Sequence, residues 1–152
     1  MSFLLAPEAI SGKEGIITAV INGQVVTLGE IRTLTAHIDK RKAEIRTMGV
    51  RGTQHKATGW SGTGSVTFYY VTSRWTELMT QYINTGKDVY FDINIVNEDP
   101  GSNTGRQQIK LSQCNLDGLD IAKYDVDAEF LDAPLNFTFS DVELVGKFNN
   151  IF

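Results

Sequence analysis

Two periods run along this 152-residue chain, and the shorter one dominates. Apolar residues alternate with polar ones over most of the length, and the runs are rich in β-branched and aromatic side chains, as half-buried strands require. GIITAVINGQVVTLGEI, residues 15–31, sets Asn22-Gly23 between two such runs. A type I′ turn needs positive φ at both central residues, so this pair predicts a hairpin. An extended stretch follows through Ile31, Leu34, Ala36 and Ile38. It then turns charged, with Ala43, Ile45 and Thr47 alternating against Glu44, Arg46 and Met48. Residues 50–65 are polar and Gly-rich, and read as a long loop or a projecting hairpin. Compact domains rarely keep a structureless loop of that length unless the loop does something.

GSVTFYYV, residues 64–71, is the next strand. The period then lengthens once. Trp75, Leu78, Met79, Tyr82 and Ile83 fall at i, i+3, i+4, i+7 and i+8, which predicts a helix from about Ser73 to Asn84 with one apolar stripe. Thr72 or Ser73 caps its start, and Gly86 suits the left-handed position after its end. Burying five such side chains contributes roughly 1.5–3 kcal/mol each before entropy is charged against it. The stripe therefore reads as a plug on a sheet and needs no cofactor.

DVYFDINIV, residues 88–96, alternates with Val89, Phe91, Ile93 and Ile95 on one face, and NEDPGSNTG is an exposed loop by composition. RQQIKLSQCNL resumes a strand whose apolar phase slips between Leu111 and Cys114, a bulge signal. Asp117-Gly118 predicts a turn, and IAKYDVDAEFL predicts one more strand. Its apolar face would be Ala122, Tyr124, Val126, Ala128 and Phe130, and its opposite face Lys123, Asp125, Asp127 and Glu129. APLNFTFSDVELV supplies the last strand through Leu135, Phe137 and Phe139. The pattern as a whole predicts one domain over residues 1–152: mainly β, an antiparallel sandwich or barrel with one helix and a long projecting loop or hairpin.

Composition narrows the function. Hydrophobic residues at 41% and charged residues at 21% suffice for one ordinary core. The net charge is -4, so no global basic field exists to displace the counterions of a duplex. A protein that lets DNA pass without gripping it tolerates such acidity. Cys114 stands alone, which excludes an internal disulfide and a cysteine zinc cluster. The opening MSFLLAPEAISG has a four-residue apolar run without a positive flank and predicts no export signal. Nothing approaches the ~20 apolar residues of a membrane span, so no membrane anchor is expected.

Candidate chemistry is sparse. Gly59, Gly62 and Gly64 are dense enough for a phosphate cradle, but they lead into a strand, not a helix, and no Gly-Lys-Ser/Thr follows. Their expected job is conformational. Asp125, Asp127 and Glu129 would lie about 7 Å apart along one strand face. Neighbours at that spacing repel by only ~0.6 kcal/mol in water. A solvated face and an acidic lining stand level as readings, with catalysis or metal binding behind them. His37 and His55 lack ligand company, no G-x-S-x-G occurs, and neither cofactor nor metal is expected. Lys40, Arg41, Lys42, Arg46, Arg51 and Lys56 make one basic region, interrupted by Glu44 and carrying a single aromatic, Trp60.

ISGKEG (residues 10–15), MGVRGTQHKATGWSGTGSVTFYYVTS (48–73) and DVDAEFLDAPLNFTFSD (125–141) resemble the tail tube proteins of PBSX-like contractile phages and phage-tail-like bacteriocins. The most specific piece is H-K-x-T-G-x-x-G-T-G running into an aromatic strand and Val-Thr-Ser, and the resemblance spans nearly the whole chain. It implies a structural protein with no catalytic residues, distantly similar to the type VI secretion tube protein. Subunits of that family join through their sheets into hexameric rings, and rings stack into a tube inside a contractile sheath. The implied partners are copies of the chain, the sheath, the baseplate or tube initiator, the tail terminator and the tape measure protein. DNA would traverse the lumen unbound in a phage, and assembly would occur in the bacterial host cytoplasm. The family's long loop reaches neighbouring subunits and matches residues 41–64, which makes Lys42, Arg46, Arg51, His55, Lys56 and Trp60 the expected contact residues. On the alternation alone, Asp125, Asp127 and Glu129 are the expected lumen lining. Two other readings stay open on the residues alone: a monomeric binding domain presenting the basic loop to an acidic partner, and a small β-fold enzyme using the acidic strand.

Overall fold

Asn22 and Gly23 take φ of 53° and 78° and close a two-residue turn between β1 (Gly15–Ile21) and β2 (Gln24–Thr27). Ile21 faces Gln24 at the turn and Thr18 faces Thr27 at the far end, the register that a two-residue loop dictates. The computed structural model describes residues 5–8, 12 and 15–149, so the ISGKEG stretch lies outside them except for Gly12 and Gly15. A short 3-10 turn at Ala6–Glu8 precedes the strands. The remaining elements are β3 (Ile31–Ile45), β4 (Gln54–Tyr69), α1 (Arg74–Thr85), β5 (Phe91–Glu98), β6 (Arg106–Leu119), β7 (Asp132–Phe139) and β8 (Asp141–Gly146).

All pairings are antiparallel, in the order β2-β1-β5-β6-β7-β4-β3, with β8 added on β6. β6 divides this sheet into two packed layers. Up to Cys114 it pairs with β5 and β8; from Asn115 it pairs with β7. The switch falls at Gln113, whose φ is 57°, and the ladder skips there from Leu111↔Ile93 to Cys114↔Phe91. This is the bulge that the apolar phase slip predicts, and a bulged strand bends. The bend brings Ile93, Leu111 and Phe91 of one layer against Phe68, Leu135 and Phe137 of the other, all buried. The result is a sandwich, not a barrel: β2 and β3 end the order without meeting, and each keeps one unpaired edge among the described residues.

The helix forms where its period places it. Gly86 has φ 70° and its N–H donates to the Tyr82 carbonyl, closing the C-terminus. At the other end the Ser73 side chain makes no capping bond, and Thr72 Oγ1 accepts the Arg74 N–H at 3.3 Å. Only half the stripe plugs the core. Trp75, 5.8 Å from the Phe91 ring, and Leu78 are buried, whereas Tyr82 and Ile83 are exposed. Arg74 donates to Glu30 at 2.8 Å, tying the helix start to the β2–β3 connection.

Two expectations fail. No turn forms at Asp117-Gly118, because β6 continues to Leu119 and absorbs the irregularity as a register shift between Leu116 and Gly118. No strand forms over residues 121–131. That segment is the connection between β6 and β7, which pair with each other, while β4 occupies the other side of β7. Its backbone is engaged elsewhere: the Asp127 N–H donates to Asp125 Oδ1, and the Ile121 and Leu131 carbonyls accept from Tyr70. A bend at Ser140 also separates β8 from β7, dividing what the pattern reads as a single last strand.

Candidate functional site

β3 and β4 stay paired from Ile31↔Phe68 to Ile45↔Gln54, with register shifts after Ile31 and Arg41, but β7 covers β4 only from Gly62 to Tyr69. Beyond Gly62 the two strands run on as a ribbon with no strand on either side, closed by residues 46–53. Eight residues of overshoot make the ribbon about 27 Å long. The projecting hairpin is therefore real, and regular.

The expected contact residues gather on it. Lys56 lies opposite Ala43, His55 opposite Glu44, Lys42 opposite Ala57 and Trp60 opposite Lys40. Arg46 and Arg51 sit in the closing turn. A bulge separates the Arg41 and Lys42 pairs, where Thr58 Oγ1 donates to the Arg41 carbonyl at 3.2 Å. Residues 39–56 hold six cations and two carboxylates. Asp39 is engaged by His37 at 2.9 Å, and none of the six cations has an ion-pair partner among the described residues. Between them stand apolar side chains in water: Met48 is 99% exposed, Ile45 and Val50 are exposed as well, and so is Ile38 at the root. Trp60 does two things at once. Its ring lies 6.3 Å from buried Phe139, yet 40% of the residue faces solvent, which fixes an aromatic surface at the ribbon's root.

The glycines answer to packing. Gly62 lies opposite Phe139 and Gly64 opposite Phe137, and each ring covers its glycine so closely that an added Cβ would overlap it. An aromatic side chain over a strand glycine restores the packing that the missing side chain forgoes. Their amides belong to a strand ladder, not to a helix start, so no phosphate cradle exists here. Gly59 has open space around it.

The acidic group is differently placed than expected. Asp125, Asp127 and Glu129 lie in the irregular connection, and the Asp127 N–H donates to Asp125 Oδ1 at 3.0 Å in a local turn. The strand whose alternation would have turned all three carboxylates one way is absent. The apolar residues interleaved with them are not buried either: Tyr124 is 89% exposed, Val126 74% and Phe130 73%. Sequence reasoning read these as the apolar face of a strand and did not identify them as surface. The segment is held at its ends. Tyr70 donates its hydroxyl to the Ile121 carbonyl and its N–H to that of Leu131, and the Phe130 ring meets Tyr69 edge-on at 6.2 Å. Lys123 binds the backbone carbonyl and carboxylate of Asp132, which Arg32 also reaches at 3.1 Å.

Chemistry finds no comparable arrangement. No group of three or more His, Cys, Asp or Glu among the described residues is placed to hold a metal. Cys114 is buried, and desolvation, reinforced by the Asp92 charge, pushes its thiol up to about 12 against an opposing backbone bond from Ile93. No helix is long and apolar enough to cross a membrane.

An open-edged sandwich with an overshooting ribbon is a shape for assembly, and relatives decide which. Residues 2–146 match the family described as phage tail tube protein. The chain belongs to that family. The tail tube protein is 40% identical over 149 residues to the phage-like element PBSX protein XkdM of Bacillus subtilis (strain 168), covering 98% of this chain and 99% of that one. A solved Bacillus subtilis protein is 38% identical at a TM-score of 0.51, over 91% of this chain and 96% of that chain. The fold is also similar to a chain of the sheath/tube terminator of an extracellular contractile injection system, at 11% identity and a TM-score of 0.71, covering 93% and 100%. The tail tube protein is thus a structural subunit of a virion tail or tail-like particle, not an enzyme.

Proposed function

We propose that the tail tube protein closes into hexameric rings that stack as the inner tube of a contractile tail or tail-like particle. The observation that carries this reading is the mismatch between strand length and strand partners. β3 runs 15 residues with one edge unpaired, and the outer eight residues of β4 lack a second neighbour. Unpaired edges invite pairing, and a further copy supplies it while closing the ring. Exposed Met48, Val50 and Ile45 on the ribbon fit a buried contact better than permanent solvation. Sheath, baseplate or initiator, terminator and tape measure complete the particle, assembled in the host cytoplasm. If the particle is a phage, its DNA passes without specific binding, which suits a subunit of net charge -4.

Sedimentation velocity and negative-stain microscopy over a rising concentration series test this. Six-fold rings and tubes are expected, and shortening the ribbon by removing residues 44–55 should leave a folded subunit that no longer stacks. A wild-type chain that stays a monomer at every concentration, while binding acidic polymers in a salt-dependent way, would replace the tube with a monomeric binding domain.

A further inference from the structure

The ribbon and the acidic connection lie at opposite ends of one strand. β4 starts at Gln54 beside the ribbon's closing turn and ends at Tyr69, where Tyr69 and Tyr70 hold the connection through Phe130, Leu131 and Ile121. Sixteen strand residues separate these poles by about 50 Å. Their charges are opposite. The ribbon's six cations are unpaired, whereas residues 117–132 contain six carboxylates and a single cation. That cation, Lys123, is taken by Asp132, which leaves Asp125, Asp127 and Glu129 without a cationic partner among the described residues. Both poles also expose apolar side chains, Met48 and Val50 at one, Tyr124, Val126 and Phe130 at the other.

Two complementary surfaces 50 Å apart on a rigid strand cannot meet within a subunit. Between copies they meet head to tail, and a heterologous contact of that kind repeats along an axis. We propose that the 120–131 connection of one copy receives the ribbon of the copy stacked next to it, so that carboxylates at 125, 127 and 129 face the cations at 40, 42, 46 and 51. This rests on the tube reading and adds the receiving surface and the polarity: like poles repel, so rings stack in one direction only.

Two reversed proteins test the pairing. Asp125→Lys/Asp127→Lys/Glu129→Lys makes both poles basic, and Lys40→Glu/Lys42→Glu/Arg46→Glu makes both acidic. Each alone should give rings without tubes in negative stain, and an equimolar mixture should restore tubes. All the replaced side chains are exposed or nearly so, and unchanged melting temperatures would confirm folding. If either protein fails to fold, Asp125→Asn/Asp127→Asn/Glu129→Gln serves instead. It should raise the concentration needed for tubes roughly tenfold, the combined effect of three exposed ion pairs. Wild-type tubes unaffected by reversal or neutralisation, or a tube in which these carboxylates line the bore, would overturn the proposal. A wild-type chain that makes no tubes would instead remove the tube reading itself.

Discussion

Gly64→Ala separates two opposed effects by sign. Glycine within a strand costs roughly 0.5–1 kcal/mol relative to alanine through backbone entropy, so propensity alone makes the substitution stabilising. Gly64 does not have positive φ, and alanine meets no backbone objection there. The obstacle is Phe137, whose ring occupies the place of the new methyl and is itself only 1% exposed. That ring is packed beside Phe139 at 6.2 Å and cannot swing aside without displacing core neighbours. Overpacking of a tight core costs about 1–3 kcal/mol, which exceeds the entropy gain. At ~2–4 °C per kcal/mol for a chain of this size, the melting temperature should fall by several degrees. Gly59→Ala is the internal control. Its Cβ would enter open space, so it should be neutral or stabilising by up to about 1 kcal/mol. Urea unfolding of both proteins reads the difference directly. A stabilised Gly64→Ala, or equal shifts at the two sites, would show that the ring–glycine contact does not constrain this strand.

Other substitutions follow from burial. Trp75→Ala should cost about 3–5 kcal/mol by denaturant unfolding, whereas Ile83→Ala, eight residues along the same stripe, should cost under ~1, because only Trp75 is enclosed. Arg74→Ala strands Glu30, whose side chain is 8% exposed, and should destabilise by about 2–4 kcal/mol, with less effect when Glu30→Gln is added. Cys114 should resist thiol reagents at pH 8 in the folded subunit and react only on unfolding. Its thiol is raised from 9.0 to about 12, so the folded state holds the proton more tightly; this contribution to stability is whole below pH 9 and is lost as pH rises towards 12.

Short-range rules decided much of the architecture. Asn22-Gly23 accepts positive φ and so fixes the first hairpin, the Trp75-Leu78 spacing fixes a helix, and the phase slip before Cys114 marks where β6 bends. Each depends on neighbours within a few residues, and residue order records those. The same order foretold a long loop or projecting hairpin over residues 50–65, though not that it is a ladder whose glycines yield to rings 73 and 77 residues further along. Partner availability belongs to the tertiary structure. Residues 122–130 carry a faultless strand alternation and form no strand, because Asp125 takes the Asp127 N–H in a local turn and Tyr70 holds the flanking carbonyls of Ile121 and Leu131. Periodicity reports that a segment suits an edge, but only the tertiary structure determines whether its backbone groups are already engaged. That is why the five apolar positions of residues 122–130 lie on the surface, and why opposite charges end up at the two poles of β4.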